Sequence, residues 1–184
     1  MKITKRETTY CGKYLRLIYK HFRTTRGYTG VWEMVERTNI FNNGAVVIIP
    51  VTKNKELILE KHWRIPLESS VIQFPAGLTD REGESEEETA RRELLEETGY
   101  KANKLIPIII TPECSVLTST KVNHFFAPDV EYVGMQREDT AEEIEVVKIP
   151  IHQTSDFLLN LPENTKLDLR VPGILWIMEK SKFI

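Results

Sequence analysis

Cysteine is scarce: Cys11 and Cys114 are the two in 184 residues, too few for a disulfide framework. No apolar run approaches the roughly 20 residues that a membrane-spanning helix needs. The opening Met1-Lys2-Ile3-Thr4-Lys5-Arg6-Glu7 lacks the apolar core of a secretory leader. These absences predict no membrane partner and a reducing, cytoplasmic setting. Neither sign of charge dominates, with 25 Lys+Arg against 27 Asp+Glu and a net charge of −2, which argues against a nucleic-acid-coating protein. No fixed-period repeat or low-complexity linker divides the chain. His21, His62, His124 and His152 show no metal-ligand spacing and read as structural or solvent-facing. What remains is a soluble-type composition, 41% hydrophobic, long enough for one domain with a core that needs no staples.

The charge is unevenly spread. Between Asp80 and Glu97 nine acidic residues face three arginines, a balance of −6, so the remainder carries +4. A solvated helix would explain this, and so would a divalent-cation site, because hard cations select carboxylate oxygens. Ser85-Glu86-Glu87-Glu88 has the pattern of a capping box, and Gly99 suits a left-handed stop, so a helix is predicted from Ser85 to Thr98. On a wheel of roughly 3.6 residues per turn, Glu93 and Glu97 stack on one edge, with Glu86 two turns back and Glu96 flanking. Ala90, Leu94 and Leu95 offer apolar surface for packing. Two carboxylates about 5.5 Å apart repel by about 3 kcal/mol at an effective dielectric near 20, a cost that a bound dication would reverse. Arg92, four residues from both Glu88 and Glu96, is placed to clamp its acidic neighbours.

β-Branched and aromatic enrichment predicts strands near Tyr14–Lys20, Val31–Arg37, Ala45–Val51, Leu57–Lys61, Lys104–Ile110, Lys121–Ala127 and Ile144–Ile149. Turns fall at Arg26-Gly27, Asn42-Asn43-Gly44 and Lys53-Asn54-Lys55. Two later helices are predicted, near Gln153–Asn160 and Val171–Lys182, with Pro172 in a first turn. The order of elements is that of an α+β protein.

The ordered residues Arg92-Glu93-Leu94-Leu95-Glu96-Glu97-Thr98-Gly99-Tyr100, preceded by Glu84 and by Pro75-Ala76-Gly77, resemble the Nudix box, G-x5-E-x7-R-E-U-x-E-E-x-G-U. Six residues instead of five separate Gly77 from Glu84, so the loop carries one extra residue. Gly12–Leu17, Val31–Thr38, Lys61–Pro66 and Ile72–Leu78 look like the branch that hydrolyses ADP-ribose and other nucleoside diphosphate sugars, although that branch usually has Glu where Gln73 stands, and Ser-Pro-Gly near the position of Glu113. The resemblance implies a Nudix-type α/β/α sandwich with a mixed sheet over residues 41–184. Residues 1–40 would form an antiparallel strand region serving dimerisation and base recognition, in a homodimer.

The same resemblance implies the site. Tyr14 and Trp32 would stack on the base, as flat aromatic faces suit. Arg37 and Arg64 would hold phosphate or ribose oxygens with planar forks, and Leu78 would join the substrate wall. Mg2+, with Mn2+ as a substitute, would bind Glu93, Glu97, the main chain of Ala76, Glu96 and a carboxylate from a distant loop. Glu142 matches that last position best, as ligand or general base, with Glu138 and Asp139 as alternatives. Arg92, Glu93, Glu97 and Glu142 make up the implied catalytic set. Rival readings keep the metal site but change the substrate to GDP-mannose or a dinucleotide, or turn the fold into a non-catalytic sensor, which would not need Glu93, Glu96 and Glu97.

Overall fold

The structure is a computed structural model, and it describes residues 1–41, 44–134 and 143–184. β4 (Gly44–Thr52) has the sequence GAVVIIPVT and is buried along nearly its whole length. Such an unbroken apolar strand must be covered on both faces. Val46 and Ile48 turn to one side, where they join Ile58, Leu105, Phe125 and Ala127, and there α1 (Glu86–Thr98) docks with Ala90 and Leu94. Val47, Ile49 and Val51 turn to the other, joining Leu59, Ile72 and Phe74 beneath Val171, Ile174 and Met178 of α3 (Arg170–Lys180). The period-two alternation of one strand thus builds two cores, and the result is an α/β/α sandwich.

The sheet is mixed. β10 (Lys121–Tyr132) runs parallel to β4, whereas β7 (Ala76–Leu78) pairs antiparallel on its other edge. β5 (Glu56–Arg64) meets β4 at Val51↔Leu57 and then carries β6 (Ser69–Gln73) and β11 (Ile144–Pro150), both antiparallel. β8 (Tyr100–Lys101) and β9 (Ile106–Pro112) pair with β10, and β12 (Thr165–Leu167) runs parallel to β6. The short α2 (Thr154–Leu159) follows β11.

β1 (Lys2–Cys11), β2 (Leu15–Arg23) and β3 (Thr29–Arg37) form a separate three-stranded antiparallel sheet. It is fastened to the loop after β9, where Val35 N–H donates to the Leu117 carbonyl at 2.9 Å and Trp32 Nε1 donates to that of Val116 at 2.9 Å. Among the described residues no helix is long and apolar enough to cross a membrane.

Candidate active site

α1 is held at both ends by its own sequence. Ser85 Oγ accepts from the Glu88 N–H while the Glu88 carboxylate accepts from the Ser85 N–H, and Gly99 closes the helix at φ 72°. With Ala90 and Leu94 fixed in the core, the Glu93–Glu97 edge faces β7. Ala76 N–H donates to Glu97 Oε2 at 3.0 Å, which ties strand and helix together at the acidic edge. Gly77 makes the approach possible: a Cβ there would stand 2.0 Å from Glu93 Cδ, so any side chain would displace the carboxylate.

A cavity of about 520 Å³ opens over this edge. Glu93, Glu96, Glu97, Ala76, Gly77 and Leu78 form one wall, and Arg37, Arg64 and Arg170 also line it. Eight residues expected from sequence, Arg37, Arg64, Ala76, Leu78, Arg92, Glu93, Glu96 and Glu97, therefore come together, with Glu113 beside them and with Arg170, which the sequence does not single out. Glu86, on the same edge of the wheel, does not line the cavity. Tyr14 and Trp32 do not line it either; they are 55% and 50% exposed on the N-terminal sheet. Glu142, with Glu138 and Asp139, lies outside the described residues.

Arg92 spends its guanidinium on carboxylates. Nε and Nη2 donate to Glu84 at 2.9 and 3.0 Å, and Nη1 donates to Glu93 at 2.7 Å and Glu96 at 3.1 Å. Burial works against its charge, but the bonds to Glu84, Glu93 and Glu96 more than offset it and raise its pKa. Glu84 is held below the usual carboxylate range, chiefly by Arg92, so the extra residue in the loop 78–83 leaves the Glu84–Arg92 pair of the box intact.

Both stacked glutamates are raised, to different extents and with different neighbours. Burial pushes Glu93 up to about 7; Arg92 opposes this, while Glu96 and Asp80 add to it. Glu97, 6% exposed, is raised well above its ordinary value by burial, by the neighbouring Glu60 and by Glu93. No cationic side chain among the described residues pairs with Glu97. Enclosed hard oxygens whose charge lacks a local counter-ion are the donor set that suits Mg2+ or Mn2+, so the residues present fit a divalent cation. Glu93, Glu97 and the Ala76 peptide would hold it, with Glu96 beside them.

Each deep arginine has a bracket. Arg64 Nε and Nη2 both donate to Gln73 Oε1, at 3.0 and 2.7 Å, and Gln73 Nε2 donates on to Glu60 Oε2 at 3.4 Å. The Asp168 carboxylate holds Arg170 through Nε at 3.0 Å and Nη2 at 2.5 Å. Arg37 Nη2 donates to Glu113 Oε1 at 3.1 Å. The DLR triplet Asp168–Arg170, at the helix start, was the available sequence signal for Arg170: an acid two residues before a base can brace it locally.

Comparison with known proteins decides the family, since the NUDIX domain matches residues 42–167. The chain belongs to the NUDIX family. It is 32% identical to the ADP-ribose pyrophosphatase of Bacillus subtilis over 151 residues, 82% of this chain and 78% of that protein. It is 30% identical to the ADP-ribose pyrophosphatase of Saccharomyces cerevisiae, over 92% of this chain and 78% of the other. Among solved structures, the crystal structure of an ADP compounds hydrolase superposes with a TM-score of 0.80 at 27% identity, covering 98% of this chain and 92% of that one. The Nudix box identified from the sequence is therefore the α1 edge of a Nudix hydrolase, in the α+β sandwich expected for it.

Proposed function

We propose that this Nudix hydrolase cleaves the diphosphate linkage of ADP-ribose or a closely related nucleoside diphosphate sugar, with Mg2+, to a nucleoside monophosphate and a sugar phosphate. With ADP-ribose and water the products are AMP and ribose 5-phosphate. The observation that carries this reading is one cavity with enclosed carboxylates at Glu93 and Glu97 and with Arg37, Arg64 and Arg170 in its lining. The names of the relatives from B. subtilis and yeast support the substrate class.

A diphosphate is anionic and a poor electrophile, so its oxygens must be neutralised and a water positioned. The bound cation supplies charge neutralisation and a more acidic water. The protein does the rest. Arg64 and Arg170, braced by Gln73 and Asp168, keep their forks oriented before substrate arrives, which lowers the ordering cost of binding. Arg92 holds Glu93 and Glu96 in register. Glu142 is proposed as the general base, Leu78 as part of the sugar-side wall, and Tyr14 and Trp32 as base-stacking groups in a homodimer that joins the N-terminal sheet of one copy to the cavity of the other.

A second reading keeps the chemistry and changes the sugar or base, as in GDP-mannose or a dinucleotide. Glu113 favours it, because its carboxylate engages Arg37 in the lining of the cavity. Product analysis across ADP-ribose, GDP-mannose, UDP-glucose and diadenosine substrates tests both. Mg2+-dependent AMP release from ADP-ribose, abolished in Glu97→Gln, is the expected result. Robust turnover without any divalent ion would overturn the mechanism, and preference for another substrate would move the assignment to the second reading.

A further inference from the structure

β5 is apolar where it crosses the core, yet its α1-facing side continues from Ile58 into Glu60 and His62. Glu60 is 0% and His62 3% exposed, and neither lines the open cavity. Glu97 reaches them from α1. One imidazole nitrogen of His62 and carboxylate oxygens of Glu60 and Glu97 lie within 4.8 Å of one another. His62 Nδ1 is buried with no hydrogen-bond partner among the described residues, a state that costs about 1–3 kcal/mol unless a ligand relieves it.

We propose that Glu60, His62 and Glu97 form a second cation site, behind the cavity, for a borderline transition-metal dication of the Mn2+, Co2+ or Zn2+ class. The donor set decides the class. Two carboxylate oxygens alone would suit Mg2+, but an imidazole nitrogen selects ions further along the transition series, and Mg2+ prefers an all-oxygen shell with several waters. The size also fits. An ion about 2.1 Å from each of three donors holds them roughly 3.4–3.6 Å from one another, so inward side-chain shifts of up to about 0.8 Å close the site. Gln73 supplies the outer support, since its amide N–H reaches Glu60 and would hold that carboxylate in its ligating orientation. Glu97 would then bridge, with the transition ion on the core side and the Mg2+ of the proposed reaction on the cavity side.

The site is independent of which substrate the enzyme takes, and its test uses none. The full-length protein, stripped with chelator and then given excess Mg2+, is titrated with Co2+ and followed by visible absorption, with bound metal counted per chain. The expected result is one Co2+ retained per chain, with visible d–d bands whose positions shift when His62 is replaced. In His62→Gln the affinity falls about tenfold or more while the melting temperature in chelator stays close to that of the parent. Should the substituted chain fail to fold, electron spin-echo measurements on the parent with Mn2+ report the coordinated nitrogen directly. Co2+ that excess Mg2+ displaces, or whose affinity and spectrum are unchanged in His62→Gln, or Mn2+ without nitrogen modulation, would each overturn the site; the Glu60–Glu97 pair would then be held together by a shared proton.

Discussion

Glu93 carries its unusual chemistry because it is neither free nor buried alone. Its carboxylate faces Arg92 at 2.7 Å, yet that guanidinium is divided among Glu84, Glu93, Glu96 and Asp80, so enclosure wins and the group titrates near 7 instead of 4.5. The sign follows. Its contribution to the stability of the metal-free fold is complete below pH 4.5 and disappears as pH rises through about 7, because the folded state holds the proton more tightly. Protons and Mg2+ compete for the same oxygens. Calorimetric titration should therefore show Mg2+ affinity falling about tenfold between one unit above and one unit below that value. An affinity independent of pH there would remove Glu93 from the ligand set. Gln73 leads to another expectation: Gln73→Leu removes the acceptor of two Arg64 N–H groups and leaves the cation unbraced. KM should rise several-fold, by about 1 kcal/mol of lost binding or more, and the effect should vanish on an Arg64→Ala background, as double-mutant kinetics would measure.

At the level of elements, α1 is the part most fully written in local sequence. The capping box, Gly99 and the Ala90/Leu94 face lie within one stretch of chain, and so do Glu93 and Glu97. Ser85→Ala should cost about 1 kcal/mol in chemical denaturation, and a larger loss of activity than of stability would show that the cap also sets the register of the glutamates. Other parts were illegible for a physical reason. β1 was not expected because KITKRETTYC is almost wholly exposed and shows no apolar alternation. β6, β7 and β12 are short and owe their conformation to the strands they pair with. Spacing along the chain marks His62 as structural or solvent-facing because it says nothing about a partner brought in by another element; Glu60 shares its strand, but Glu97 meets it only after α1 docks. Arg170 was missed likewise, for nothing local shows that the start of α3 reaches the cavity.

For the whole molecule, the N-terminal sheet poses the open question. Tyr10, Tyr14, Leu15, Tyr28, Val31 and Trp32 stand exposed on it, a density of large apolar groups that is typical of a surface with a partner. Light scattering should return the mass of two chains, and Trp32→Ala should raise KM with little change in kcat if the ring stacks on the base bound in the other copy. A monomer with unaltered KM would confine the reaction to the single-chain cavity.

The loop from Leu78 to Gly83 bears on how such a protein can diverge. Because α1 is anchored from Ser85 onward and β7 by its pairing with β4, insertions between them are absorbed as slack, and Glu93 and Glu97 keep their positions. Lineages can lengthen this segment to suit new substrates without re-inventing the machinery beneath it.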